Sequence, residues 1–518
     1  FKAPKAIALK GTPEDYVAKL ARAFVIVDPA ERRAQIAAGL AKAAKSAGGK
    51  IRPDDALLDQ VTWLVEHPTP IAGEFEKSNL ELPPEVVISE MRNHQRYFAV
   101  VDGKGNLKNR FVAVSGTPVK DAAVARHGYE RVLRARLADG RFFFEEDKRR
   151  SLHERVEDLG RRTYQAKLGT ELERTRRIGA IAAALARALG REDLVADVEE
   201  VARLAKADLG TGMVGEFPEL QGIMGGHYAR LEGLRPEIAE AIEDHYRPVG
   251  ASEEMPRGDL GALVGIGDRL HALVGLVGVG EKATGGADPF GLRRAAIGLL
   301  RIVVARGYHL SMAAAVDAAL DALGEVRLAA PRAAVRDSVL EFLRGRIRAA
   351  WAEEFDSDLV EATLAAGWDD VVDAKRRLGA LAEIKRRPDF VPLAVAFKRV
   401  ANIQEKGQAG AEARVDPALL VEEAERRLAA ETERVEGEVA SLRAARDYPA
   451  VLRAVAGLKP AVDQFFDDVL VMADDPAVRA NRLALMRRVA ALFADVADFR
   501  KIQAELPSAA ARPEARSA

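Results

Sequence analysis

The sequence predicts a predominantly α-helical, multidomain protein with an α+β part at its start, and three observations predict it. The chain has 518 residues, too many for one hydrophobic core when a domain takes about 150. From about Tyr164 onward, alanine-rich segments such as "RIGAIAAALARALG" repeat apolar residues at three- and four-residue spacing, the period of a helix with one buried face. Strand-like runs concentrate earlier, around "RYFAVVDGKGNLKNRFVAVS".

In chain order, "YVAKLARAFVIVDPAERRAQIAAGLAKAAKSAGG" predicts a helix, a turn and an amphipathic helix stopped by Gly48 and Gly49. The two later runs flank Asp102, Gly103, Gly105 and Asn106, residues that tolerate the positive backbone angles of a hairpin turn. Residues 1–160 are expected to be the α+β part and 161–325 a helical domain. Within the latter, "GVGEKATGG" is expected to be a turn, because no buried strand precedes it as a phosphate-binding loop requires. Pro331 and the Arg386–Pro388 and Phe390–Pro392 stretches punctuate a helical connecting module at 326–410, containing the periodic "SVLEFLRGRIRAAWAEEF". A last domain, 411–505, is expected to consist mainly of long antiparallel helices, and residues 506–518 to be disordered for want of apolar content. No repeat of 20 to 50 residues recurs.

Composition narrows the function classes. Hydrophobic residues are 48% and charged residues 30% of the chain, as in soluble globular proteins. Lys plus Arg number 78 against 79 Asp plus Glu, so a nucleic-acid contact has to come from local basic patches. The absence of cysteine excludes disulfides, thiolate metal sites and a cysteine nucleophile. A cytoplasmic location is expected, with no membrane segment and no secretory signal at "FKAPKAIALK". The first residue is Phe1, which points to a fragment or processed form.

The common short motifs for phosphate cradling, zinc hydrolysis and acyl transfer are missing, and no catalytic residue is expected. His227, His245, Asp268 and His271 fall in the helical middle, but a helical phosphohydrolase site needs an adjacent His-Asp pair, and residues 244–245 run Asp-His. Surface or hydrogen-bonded core imidazoles are expected instead of a metal site. Basic patches offer more. Helical spacing brings Arg131 and Arg134 to one face, near Arg136, Arg141 and three phenylalanines at 142–144. That face either holds RNA phosphates or is a solvated surface neutralised by Glu130, Glu145, Glu146 and Asp147. In "FKRVANIQEK", Lys398, Asn402 and Lys406 share a face beside Arg399, with Val400 and Ile403 on another, which fits either RNA contact or solubility. Asp474 and Asp475 before Pro476 form a helix start, after which come Arg479, Asn481 and Arg482.

Several stretches together resemble the β subunit of the heterotetrameric bacterial glycyl-tRNA synthetase: "MRNHQRYFAV", "ERVLRARLADGRFFFEEDK", "EFPELQGIMGGHYA", "DPFGLRRAAIGLLRI" and "KRVANI". The segment 462–503 is similar to a helical DALR anticodon-binding domain. Tyr129 and His271 stand where the family pattern has an asparagine and an aspartate. The resemblance starts inside the family's pattern, so an N-terminally truncated chain is expected. It implies an HD-like helical domain in the middle and a DALR-like domain at the end. It also implies an α2β2 assembly with an α subunit that holds glycine, ATP and Mg, while this chain carries no cofactor and binds tRNA(Gly). Under it, Phe465, Phe466, Val469 and Met472 hold a helix hairpin, and Arg479, Asn481 and Arg482 face the RNA or fix the helix start.

Overall fold

Helices dominate the chain, and the Phe98–Val101 and Leu107–Ser115 strands form where β-branched and aromatic residues run together. The computed structural model describes residues 7–8, 11–250, 254–281, 288–387, 390–406 and 414–503, without the side chains of 404–406. The expected tail at 506–518 and most of the "GVGEKATGG" turn lie outside the described residues. Two compact units result: residues 1–163, 170–175 and 203–243 form one, and 164–169, 176–202 and 244–518 the other.

The first unit is built on an antiparallel sheet of β1 (Lys50–Ile51), β2 (Thr69–Glu74), β3 (Phe98–Val101) and β4 (Leu107–Ser115), in the order β1-β3-β4-β2. The β3–β4 hairpin turns where expected. Asp102 Oδ1 accepts the amides of Lys104 and Asn106, and Gly105 takes φ +92°, a conformation glycine adopts without a Cβ penalty. Helices α1 (Pro29–Ser46) and α2 (Asp55–Leu64) cover one face, where Ile36, Leu40, Leu57 and Val61 pack on Phe98, Val100 and Val112. Asp28 caps α1 ahead of Pro29, and Gly48 at φ +73° ends it.

Helix α3 (Ala122–Asp147) lies along β2, and Glu130 accepts the Glu74 amide at 3.0 Å. Leu133, Leu137, Gly140 and Phe144 form its buried stripe at three- and four-residue spacing. Its last residue, Asp147, is buried and accepts from the amides of Gly212 and Met213 and from the Tyr228 hydroxyl on α4 (Ile223–Leu231), which fixes this corner.

In the second unit the most apolar helix, α5 (Asp259–Gly278), is long and apolar enough to cross a membrane by composition, yet it is largely buried against α6 (Leu292–Arg306) and α7 (Arg332–Trp351). Val335, Val339, Leu343, Ile347 and Trp351 recur every fourth residue as the buried stripe of α7. Helix α8 (Val371–Lys385) leads to the C-terminal bundle: α9 (Phe390–Lys406), α10 (Glu423–Ala444), α11 (Tyr448–Ala456), α12 (Lys459–Asp468) and α13 (Pro476–Ala491). Helices α9, α10 and α13 run 17, 22 and 16 residues, and α11 and α12 are shorter. Phe397 stacks on Phe493 at 4.6 Å, and Phe499 meets both rings edge-on. Buried Arg377 on α8 donates to the carbonyls of Asp495 and Val496, joining α8 to the turn that follows α13.

Candidate nucleic-acid interface

One end of the C-terminal bundle gathers the starts of α10 and α13, the end of α12 and the 469–475 loop. Asp475 caps α13 by accepting the amides of Ala477 and Val478, with Pro476 in the first turn, as the sequence predicted. The loop before it exposes apolar side chains: Leu470 is 73% and Met472 54% exposed, and Val421 ahead of α10 is 56% exposed. The Arg399 guanidinium lies 4.2 Å over the half-buried Phe466 ring, a cation–π contact that holds the cation flat at the surface. Lys398 is half-buried and Asn402 exposed on the same helix, whereas Val400 is buried. The Lys406 side chain lies outside the described residues.

Two expectations are corrected here. Asn481 is buried and its amide is spent on the backbone of Asp416, accepting from its N–H at 2.7 Å and donating to its carbonyl at 3.0 Å. Arg482 is buried as well: Nε pairs with the fully buried Glu425, and Nη1 donates to the Leu470 carbonyl at 2.8 Å. Arg479 donates to the Ala473 carbonyl at 3.0 Å. These donors shape the bundle end, and the arginines hold the loop's backbone in place. Met472 does not hold the hairpin as expected; Phe465 and Val469 are the buried anchors, with Phe466 under Arg399. The roles of Glu425 and Asp416 carried no signal in the sequence, because both act across more than fifty residues.

In the first unit, Arg131 is exposed and makes no ion pair among the described residues, and Arg134 is exposed with a 3.5 Å contact to Glu76. Arg136 is half-buried and its charge acts on the buried Glu90. Arg141 is taken up by the fold: it pairs with Glu81 at 3.2 Å, donates to the Ser78 carbonyl and reaches Asn79, bracing the 77–81 turn instead of facing a ligand. Burial pushes the Glu90 carboxyl up to about 7, with Asp139, Glu216 and Glu219 adding to the effect and Arg136 opposing it. Its Oε2 is buried without a hydrogen-bond partner.

The four groups weighed as metal ligands separate. His227 belongs to the first unit and pairs with Glu85 at 3.0 Å, while His245, Asp268 and His271 belong to the second. Among the described residues no three such side chains cluster closely enough to hold a metal ion. In the first unit, buried Asp208 accepts the amides of Gly222 and Gly225 at the start of α4, and desolvation pushes its carboxyl up to about 6.

A helical bundle end that offers a ring-backed guanidinium and exposed apolar side chains is a surface suited to unpaired nucleotides, whose bases stack and whose edges hydrogen-bond. Residues 393–504 match the DALR anticodon binding domain, and residues 1–365 match the glycyl-tRNA synthetase beta subunit. The glycine–tRNA ligase beta subunit of Anaeromyxobacter sp. strain K is 74% identical over 510 residues, covering 98% of this chain and 73% of that protein. That of Myxococcus xanthus DK1622 is 50% identical over 98% of this chain and 73% of its own length. That of Geotalea uraniireducens Rf4 is 47% identical over 94% of this chain and 70% of its own length. The chain belongs to the glycyl-tRNA synthetase beta subunit family.

Proposed function

We propose that this chain is the tRNA-holding β subunit of a glycine–tRNA ligase, acting in the cytoplasm with a separate α subunit in an α2β2 assembly. The observation that carries the reading is the match of the C-terminal bundle, residues 393–504, to an anticodon-binding domain within a chain of this family. On this reading the α subunit supplies glycine activation with ATP and Mg, and this chain supplies position. Arg399 on Phe466, Asn402, Lys398 and the exposed Leu470 and Met472 meet the unpaired anticodon bases; Lys406 extends the same face by its spacing. Arg131, Arg134 and Arg136 on α3 are phosphate contacts of the first unit. Acids crowd the bundle end, with Asp467, Asp468, Asp474 and Asp475 beside the loop, so stacking and base edges suit it better than phosphate tracking.

The test mixes the purified chain, an α subunit, glycine, ATP and tRNA(Gly). Glycyl-tRNA is expected only with both subunits, and the chain alone is expected to bind tRNA without forming glycyl-adenylate. Adenylate formation by the chain alone, or failure to bind tRNA(Gly), would overturn the reading.

A further inference from the structure

The first unit carries a concentration of cations outside the basic patches that the sequence pattern marks. Lys42 and Lys45 lie in the last turns of α1, Lys50 is in β1, Arg52 follows it, Lys104 is in the β3–β4 turn and Lys108 is in β4. The topology brings them together. Lys50 pairs in register with Val101, the last residue of β3 before the turn that holds Lys104. The Lys108 side chain lies over the Gly48–Gly49 stop of α1, with Nζ 3.8 Å from where a Gly48 Cβ would sit and Cδ 3.1 Å from that of Gly49. Five of the six are exposed, and Lys108 is half-buried.

Their charges are unspent. None of the six makes an ion pair among the described residues, whereas the neighbouring acids are each engaged. Asp54 pairs with Arg92, Asp55 and Asp59 pair with Arg33, and Asp102 holds its own turn. Six uncompensated cations on one end of a small sheet, in a chain of net charge −1, make a local positive field without an overall one. Beside them opens a surface cleft of about 550 Å³, with Lys45 and Lys50 on its walls, Asp54 and Asp55, paired to Arg92 and Arg33, also lining it, and Leu40, Ile51 and Phe98 among its apolar lining, so the exposed cations, and not the interior of the cleft, carry the phosphate contact. The one aromatic ring there, Phe98, is buried in the sheet core, so the surface has cations but no stacking platform. That combination suits the phosphate backbone of a duplex more than splayed bases.

We infer that this face, formed by the end of α1, β1 and the β3–β4 turn, is a second RNA-binding surface that grips the phosphate backbone of a duplex arm of tRNA. The inference rests on the tRNA-binding reading above and adds a site separate from the anticodon-binding bundle.

The experiment compares the full chain with a Lys45→Gln, Lys50→Gln, Lys104→Gln variant, binding intact tRNA(Gly) and, in parallel, its isolated anticodon stem–loop, across a range of KCl. With each duplex phosphate contact worth about 0.9 in the slope of log affinity against log salt, the variant is expected to lose roughly two to three units of slope on intact tRNA. Its affinity should fall about tenfold or more near 0.1 M salt, and its binding to the stem–loop should stay unchanged. Lys104→Gln alone, at the tip of an exposed turn, should lose about one unit, which keeps the test open if the triple variant folds poorly. A folded variant with unaltered tRNA affinity and slope would overturn the surface while leaving the anticodon reading standing. Loss of α-subunit binding in place of tRNA binding would overturn it in favour of a protein contact. No binding of tRNA by the unaltered chain would overturn both readings.

Discussion

Arg482 and Glu425, 57 positions apart, form a buried ion pair that ties the start of α13 to the start of α10, and the same guanidinium anchors the carbonyl of exposed Leu470. Removing one member strands the other charge away from water, at a cost of about 3–5 kcal/mol. Arg482→Ala is therefore expected to speed amide exchange across α10, α13 and the 469–475 loop. Neutralising both members while keeping the bond to the Glu422 amide that caps α10, Arg482→Met with Glu425→Gln, is expected to be milder, because no charge is left unpaired. Exchange mass spectrometry reads this locally, which suits a chain of more than one unit. A double variant as labile as the single one would contradict the pairing argument.

Asn481→Ala removes both bonds to the Asp416 backbone, and because Asp416 is exposed its amide and carbonyl can turn to water, so the cost is about 1 kcal/mol. The bundle should soften, but the ratio of affinities for tRNA(Gly) and a tRNA with an altered anticodon should hold. A fall in that ratio with stability intact would return Asn481 to base reading.

Arg399→Ala takes the cation from its ring without touching the core. If Arg399 and Phe466 support a nucleobase, tRNA(Gly) affinity should fall by about 1–3 kcal/mol, while the salt slope drops by less than about one contact's worth, roughly 0.7 for a single strand. Arg479→Ala, whose guanidinium is turned to the Ala473 carbonyl, should change affinity far less. Equal effects of the two changes would place the contact elsewhere.

Glu90 sets a pH dependence for the first unit. Burial raises its carboxyl from 4.5 to about 7, so between those values the folded state holds a proton that the unfolded chain has released. Stability then declines as pH rises through this window. Glu90→Gln cannot ionise, and it is expected to match the parent near pH 4 and exceed it at pH 8 by about 3 kcal/mol, the worth of the shift. Thermal melts at the two pH values give the comparison, and a parent as stable as the variant at pH 8 would contradict it.

Features whose causes lie within a few residues could be read from the sequence. The Asp475–Pro476 helix start, the Gly48 stop and the Asp102–Asn106 turn each depend on hydrogen bonds or backbone angles among near neighbours. The resemblance carried the identity of the C-terminal domain. The destination of individual donors could not be read. Asn and Arg offer the same groups to an RNA phosphate as to a backbone carbonyl, and only the placement of Asp416, 65 positions from Asn481, decides between them. Arg141 was ambiguous for the same reason, its partners lying in the 77–81 turn. Exposed Met472 sits in an apolar run that reads as packing, and nothing local says that the loop turns it outward.

The close fit of α5 bears on how the chain is made. Gly265 and Gly267 let backbone approach so closely that an added Cβ would fall 2.9 Å from the His245 carbonyl oxygen and 3.0 Å from that of Ile178. The other side of α5 packs against α6 and α7, and α7 begins about 50 residues further along the chain. At a synthesis rate of about 5–20 residues per second, the ribosome begins α6 roughly 1–3 seconds and α7 roughly 3–10 seconds after α5 has been translated. Until α7 follows, the face of α5 that α7 covers has no partner yet made. That face of α5 is thus exposed to the pace of translation and to chaperones that bind emerging apolar helices.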